Sequence, residues 1–477
     1  MAFYNDISKY NDNVVILDDE GQSISYRELD EFCDRIGVCV KERSVVFYLC
    51  DNSIGAISGY IAFLAGGVVP LLLDRHIEEA LRNHLIENYE PEYLYMQEKM
   101  QDDFGEMRCI HRERGYVLLE TGYNRKYKLY KDLALLLTTS GSTGSPKLVR
   151  QSYENIQANA ESIAKYLEIT RTERPITTLP MNYTYGLSII NSHILCGGTI
   201  LATNYTLMDR RFWDFFKKGE ATSFGGVPYT YEMLKKLRFF RMDLPSLRTM
   251  TQAGGKMSPE LHREFAEYAA ESGKKFIVMY GQCEATARMA YLPAEKAVEK
   301  YGSMGIAIPG GKLELVDTEG RVIESADVAG ELVYTGKNVT LGYAEKAEDL
   351  AKGDERFGRL ETGDIAKRDQ EGYYYIVGRK KRFLKIFGNR VNLDEIEGMI
   401  KREFGENMDC ACGGVDDKLY VFIAGDSEEM VEQLRQFLTK KTRLHPSAIV
   451  VKMLEQIPKN EAGQTLYGEL EEFYHGI

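Results

Sequence analysis

Residues Thr138 to Lys147 read TTSGSTGSPK, a run of hydroxyls and glycines that ends in a lysine and follows the apolar stretch LALLL. Thr139, Ser140, Ser142 and Thr143 offer hydroxyl donors, Gly141 and Gly144 let a ligand approach the backbone, and Lys147 supplies positive charge. That combination suits phosphate. It is not a P-loop, which needs Gly immediately before the lysine and Ser or Thr immediately after; here Pro146 precedes Lys147 and Leu148 follows it. A P-loop ATPase is disfavoured on that spacing, and a slack surface linker is disfavoured by the strand pattern that enters the loop.

The elements that must position such a loop follow from pattern. Short apolar runs such as SVVFYL, LALLL, GGTILA and KKFIVMYG alternate with stretches of helical period such as ENIQANAESIAKYL. The alternation predicts parallel or mixed sheets covered by helices. Around residues 303–378 closely spaced strands and turns, KLELVDTEGRVI then GELVYTG, predict a β-rich subdomain. The last hundred residues form a separate α+β pattern: a helix from Leu393, a strand KLYVFIAG, and a helix from Ser427 with Met430, Val431, Leu434, Phe437 and Leu438 on one face. The fold class is therefore α/β, with a large N-terminal core over 1–378 and a small domain over 379–477, divided near the basic run GRKKR.

Composition narrows the function. The 477 residues carry a formal net charge of -12, which argues against a nucleic-acid partner. Eight scattered cysteines suggest a reduced compartment, and Cys410 and Cys412, on alternate positions with no neighbouring His, read as strand packing rather than metal ligands. The N-terminus shows no secretory pattern, so a cytoplasmic location is expected. The uncharged stretch Ile54 to Leu73 approaches bilayer-spanning length, but GGVVP breaks it into a buried helix, a turn and a core strand, so no stable membrane insertion is expected.

The loop resembles the phosphate-binding signature of the adenylate-forming superfamily: acyl-CoA synthetases, luciferases and the adenylation domains of peptide synthetases. Further segments similar to that family's motifs appear in order: ISYREL, FLAGGVVPLLLD, GGVPYTYEML, QAGGKMSP, YGQCEATARM, GELVYTGKNVTLGY, ETGD, GRKKRFLKIFGNRVNLDEIE and IPKNEAGQTLYGEL. The resemblance implies two half-reactions. A small carboxylic acid and ATP give acyl-AMP and pyrophosphate, then a thiol, of CoA or of phosphopantetheine on a separate carrier protein, takes the acyl group.

Residue by residue, the resemblance implies that Thr139 to Lys147 grip the departing pyrophosphate, that Tyr280 and Gly281 with Ala253, Gly254 and Gly255 border the adenine, and that Glu284 holds Mg²⁺. Asp364 would accept hydrogen bonds from the ribose hydroxyls and Arg379 would reach the same sugar. Tyr183, Gly186, Gly254 and Gln282 would line the acid pocket. The small domain would turn at Lys381, after which Lys385 and Gly388 would line a pantetheine channel. The segment LPMNYTYGLSII lacks the aspartate with which amino-acid-activating members hold an amine, so a non-amino acid is favoured. Lys440, Lys441 and Arg443 read either as a solvated helix end or as a contact for an acceptor's phosphate or acidic surface.

Two positions depart from the family pattern. Cys283 stands where threonine is usual, and Gln464 stands where the family has a lysine that bridges the carboxylate and the α-phosphate. Loss of such a cation is worth on the order of 10²–10³-fold in the first step. A slow or specialised enzyme, an engineered substitution, and a chain that binds nucleotide without adenylating all fit Gln464. Lys459, five residues upstream, is a poor substitute because it projects from another part of the loop.

Overall fold

The computed structural model describes residues 2–474 except 125–126, 139–146, 387–388, 406–407, 416, 426, 443 and 460–464, and only the backbone of 381, 383, 385, 389 and 390. Two compact units result. The first holds the chain up to Leu313 and returns for Tyr334–Leu360; the second holds Glu314–Val333 and the chain from Glu361 onward.

An eight-stranded sheet runs through the first unit in the order Gly342–Ala344, Leu148–Ser152, Leu133–Thr138, Val69–Asp74, Val45–Cys50, Tyr93–Gln97, Tyr116–Glu120, Arg108–Glu113. Its centre is parallel and its flanks antiparallel, so the predicted parallel core carries antiparallel edges. Val45–Cys50 is buried at every position, as a strand covered on both faces must be. The stretch from Ile54 resolves into a helix Ile54–Ala65, a turn, and the strand Val69–Asp74. That helix reaches the sheet through glycine: a Cβ at Gly59 would lie 2.4 Å from the Tyr95 ring. Among the described residues no helix is long and apolar enough to cross a membrane.

Local chemistry starts the helices where the motifs lie. In ISYREL, Ser25 caps Tyr26–Gly37: the Glu28 amide donates to Ser25 Oγ at 3.2 Å and the Ser25 amide donates to Glu28 at 2.7 Å. Ser152 and Asn155 do the same for Tyr153–Tyr166.

A second sheet pairs Ser223–Gly226, Thr249–Gln252 and Lys275–Tyr280 in parallel, then Ala290–Tyr291 and Ile306–Ala307 antiparallel. The three parallel strands end at Gly226, Gln252 and Tyr280, each at the start of a glycine-rich or polar turn. Carboxyl ends of such strands are where open α/β sheets bind ligands.

In the second unit Arg359–Arg368 pairs antiparallel with Tyr374–Arg379. Beyond them lie a short hairpin, the helix Leu393–Phe404, a three-stranded sheet of Cys410–Val415, Lys418–Ala424 and Ile449–Leu454, and the helix Glu428–Thr442. Cys410 and Cys412 both enter the core of this unit, with Leu419, Val421 and Leu434. The run GRKKR is not uniformly solvated. Arg382 is buried between Asp394 and Glu397, lies 3.7 Å over the Tyr467 ring, and donates to the Cys412 carbonyl at 2.8 Å.

Candidate active site

The turn after Lys275–Tyr280 is held in a shape that few sequences allow. A Cβ at Gly281 would lie 1.7 Å from the Ala287 carbonyl oxygen, so only glycine fits. Thr286 sits at φ +65°, a region β-branched residues rarely enter. Strain of this kind costs about 1–3 kcal/mol and persists where surroundings over-determine it. Here the Thr286 hydroxyl donates to the Asn338 carbonyl at 2.7 Å, and the Asn338 amide donates to the carbonyls of Ala285 and Arg288 at 2.9 and 3.1 Å.

This turn presents Glu284. The Tyr343 hydroxyl donates to its carboxylate at 2.5 Å, while its carbonyl accepts from the Thr340 hydroxyl at 3.0 Å and from Arg356 at 3.1 Å. The Arg356 guanidinium lies 4.7 Å from the Tyr343 ring centre, and Lys147 Nζ lies 5.9 Å from it while pairing with Glu345 at 2.6 Å. Burial, with the Glu284 charge second, pushes the Tyr343 phenol up to about 12, so it stays a donor at neutral pH. Two cations and a carboxylate around one tyrosine are chemical groups of the kinds that bind phosphate oxygens and hard cations.

Arg150 holds Tyr343 there. It is fully buried on Leu148–Ser152 and donates to the carbonyls of Tyr343, Leu341 and Gly353 at 3.0, 3.2 and 3.2 Å, while pairing with Glu355. Nothing local in the sequence marks Tyr343, Thr340, Arg356 and Arg150 as site residues, although NVTLGY belongs to one of the motif segments. The pairing of a hydroxyl with a carboxylate 59 residues away is a tertiary fact.

The expected adenine border lies at the other strand ends. Gly254 has φ +82°, and a Cβ there would lie 2.4 Å from the Tyr183 hydroxyl. The Gln252 amide donates to the Gly255 carbonyl at 2.9 Å, the Ala253 amide donates to the Gly226 carbonyl at 3.2 Å, and the Gln282 amide donates to the Tyr280 hydroxyl at 3.2 Å. Tyr183 precedes the helix Thr184–Leu195, and its phenol is raised chiefly by burial. A Cβ at Gly186 would lie 2.4 Å from the Pro180 carbonyl oxygen, so this glycine packs the helix onto the preceding loop. Cys283 Sγ lies 3.4 Å from the Thr184 hydroxyl, and burial pushes the thiol up to about 11.

In the second unit Asp364 and Arg379 are cross-strand partners, with Oδ1 and Nε 3.4 Å apart; the aspartate is buried and the arginine exposed. The Arg379 amide donates to Asp394 at 3.2 Å. Lys459 pairs with Asp409 at 2.8 Å. Thr139, Ser140, Gly141, Ser142, Thr143, Gly144, Gly388 and Gln464, and the side chains of Lys381 and Lys385, lie outside the described residues.

Parallel strands that end in a strained, carboxylate-bearing turn beside two cations make an α/β core with a polar cluster at its strand ends, where such sheets bind ligands. The chain belongs to the AMP-binding enzyme family, whose model matches residues 3–344, and is thus an adenylate-forming protein. It is 25% identical over 449 residues to a 2-succinylbenzoate–CoA ligase of Geobacillus sp. (strain WCH70), covering 91% of this chain and 88% of that protein. Identity to a probable CoA ligase, CCL5, of Humulus lupulus is 27% over 352 residues, 71% of this chain but 63% of that protein, so the match spans under two thirds of its length. The fold matches O-succinylbenzoate coenzyme A synthetase (MenE) from Bacillus subtilis in complex with AMP, with a TM-score of 0.78, 20% identity and 98% of each chain covered.

Proposed function

We propose that this protein is an acid–thiol ligase that activates a small, non-amino carboxylic acid. A carboxylate oxygen of the acid attacks the α-phosphorus of ATP, and pyrophosphate leaves. The thiolate of CoA, or of a carrier-bound pantetheine, then attacks the acyl carbonyl and AMP leaves. The observation that carries the reading is the Glu284–Tyr343–Arg356 cluster with Lys147 beside it, because negative charge gathers on phosphorus oxygens in the first step and fixed cations and donors stabilise it. CoA ligases among the relatives, and a MenE structure solved with ATP and magnesium, support the same direction.

Mg²⁺ fits the donor set. It is ordinarily held by one or two carboxylates plus phosphate oxygens and water, and Glu284 supplies one such carboxylate, hydrogen-bonded and oriented by Tyr343. The ion would neutralise charge on the triphosphate. Lys147 and the preceding loop would hold the β and γ phosphates, Tyr280 with Gly281, Gly254 and Gly255 the base, and Asp364 with Arg379 the ribose. Tyr183 with Gly186 and Gln282 would face the acid. The core would span 1–378 and the lid 379–477, turning at Lys381 to bring Lys385 and Gly388 to the pantetheine. Eight free thiols and the use of ATP fit a cytoplasmic setting.

The test is acid-dependent ATP–pyrophosphate exchange across a panel of carboxylic acids, with the wild-type chain and with Gln464→Lys. The expected outcome is slow exchange by the former, raised on the order of 10²–10³-fold by the lysine. Gln464 favours a second reading, a silent nucleotide- or acyl-adenylate-binding protein. If neither form exchanges with any acid while ATP still binds, that second reading replaces the first.

A further inference from the structure

Arg288 is 2% exposed and has no carboxylate in ion-pair reach among the described residues. One terminal nitrogen donates to the Tyr166 hydroxyl at 3.0 Å and to Met279 Sδ at 3.2 Å, the guanidinium lies 5.1 Å from the Tyr185 ring centre, and Nε has no partner. A buried cation without a counter-ion is costly unless something else supplies the anion. Its side chain lines a cavity of about 20 Å³ together with Ile189, His193, Ser223, Thr249 and Thr251.

The other charges around this cavity leave Arg288 uncompensated. Glu173 also lines it but pairs with Arg248 at 3.3 Å and accepts the Thr222 hydroxyl. His193 is held neutral: burial, and secondarily the Arg288 charge, push it down to about 4, and its Nδ1 engages the Ile189 carbonyl at 2.8 Å. What remains is one guanidinium beside the hydroxyl residues Ser223, Thr249 and Thr251, in a wall completed by Leu167, Ile169, Ile189 and Phe224.

Tyr185 joins this cavity to the residues expected to line the acid pocket, since its ring meets Arg288 on one side and Tyr183 on the other. From Gly254 the wall passes to Tyr183, whose hydroxyl fills the space a Cβ at Gly254 would take, then to Tyr185, whose ring packs edge-on to Tyr183 with centres 6.3 Å apart. Tyr185 bonds Thr251 at 2.8 Å and fills the space beside Gly225. Arg288 lies against the ring of Tyr185. The volume suits a group about the size of two waters, which a carboxylate matches and an aryl ring does not.

We infer that Arg288 is the specificity-determining residue of the acid pocket and selects a short substrate that carries a second carboxylate at the end distal to the one being activated. This rests on the ligase reading above. A planar guanidinium meets a carboxylate with parallel hydrogen bonds, and a site built for such a partner discriminates strongly against an analogue lacking it.

The experiment compares chain-matched pairs, butanoate with butanedioate and pentanoate with pentanedioate, on the full-length wild type, Arg288→Met and Arg288→Lys. Two readouts are taken: thermal shift with each acid and a non-hydrolysable ATP analogue, which needs no turnover, and ATP–pyrophosphate exchange, run also in the Gln464→Lys background. At least a tenfold preference for one diacid over its monoacid is expected in the wild type, lost in Arg288→Met with monoacid binding retained, and reduced in Arg288→Lys. Should Arg288→Met not fold, the wild-type preference and its decrease in Arg288→Lys decide. Equal or greater response to the monoacids, or a preference that survives in Arg288→Met, overturns the inference. Diacid-selective shifts without exchange by any form leave Arg288's role standing and overturn the ligase reading instead.

Discussion

Arg150 and Arg288 are both fully buried arginines of the same unit, and they are treated in opposite ways. Arg150 gives its nitrogens to backbone carbonyls of the 341–353 segment and pairs with Glu355. Arg288 touches a hydroxyl, a sulfur and a ring face, and keeps a nitrogen unused. The first is a clamp whose satisfaction is internal. The second keeps donor capacity that nothing among the described residues takes up. Replacing Arg150 with Met should therefore destabilise the protein by about 3–5 kcal/mol, since several buried carbonyls lose their donor at once. Arg288→Met should stay within about 1 kcal/mol of wild type, because it removes an uncompensated buried charge. Urea denaturation of both variants tests the contrast, and equal losses would erase it.

The Glu284 turn should respond in activity rather than stability. Glu284→Ala removes the oriented carboxylate and should lower pyrophosphate exchange on the order of 10²–10³-fold, by analogy with the loss of one preorganised group in a polar active site. Tyr343→Phe keeps the carboxylate but frees its orientation and should give a smaller loss, seen mainly as a higher KM for magnesium–ATP. A Tyr343→Phe loss as large as that of Glu284→Ala would mean that the phenol itself meets the nucleotide.

Acid should separate the cavity from its surroundings. His193 and His262 are buried and each is pushed down to about 4 by burial. Unfolded, each takes a proton below about 6.5; folded, each stays neutral to about 4. Their contribution is thus fully present above pH 6.5 and falls away as pH drops toward 4, by up to about 3 kcal/mol per histidine. His262 accepts from the Gly302 amide at 3.1 Å, a bond that protonation breaks. A His193→Gln variant should lose about half of the stability change between pH 6.5 and 4.5. A butanedioate bound beside Arg288 should blunt that change in the wild type, because its charge favours the imidazolium.

How far the sequence could be read follows from where each partner lies along the chain. The buried helix–turn–strand from Ile54 and the strand packing of Cys410 and Cys412 depend on residues a few positions apart, and each is found as expected. Glycines at 254 and 281 were noticed through their motifs, although the atoms that demand them, the Tyr183 hydroxyl and the Ala287 carbonyl, are visible only in three dimensions. Arg288 in ATARMA and Arg382 in GRKKR look like solvated charges in the sequence. Both are buried by elements far along the chain, Arg288 by the helix that carries Tyr185 and Arg382 by Asp394, Glu397 and Tyr467. Tyr343 and Arg356 escape for the same reason: Arg150 holds the Tyr343 backbone, and the Glu284 carbonyl and the Thr340 hydroxyl hold Arg356.

The smallest expected effect concerns Cys283, at the junction of the two regions compared above. A cysteine where threonine is usual offers a weaker donor, and its sulfur lies against the Thr184 hydroxyl at the start of the helix that Tyr183 precedes and that carries Tyr185. Cys283→Thr exchanges a weak donor for a good one at an already partnered position, so the gain is bounded by one neutral hydrogen bond, about 1 kcal/mol, or roughly fivefold. Which parameter changes is informative. If the threonine hydroxyl turns to the nucleotide, KM for ATP falls and the diacid preference set by Arg288 is untouched. If it stays on Thr184, ATP affinity holds and only the stability of the Thr184–Leu195 helix end rises. A change in acid preference would show that the Glu284 turn and the Arg288 cavity are coupled through the five residues between Gln282 and Arg288 rather than independent.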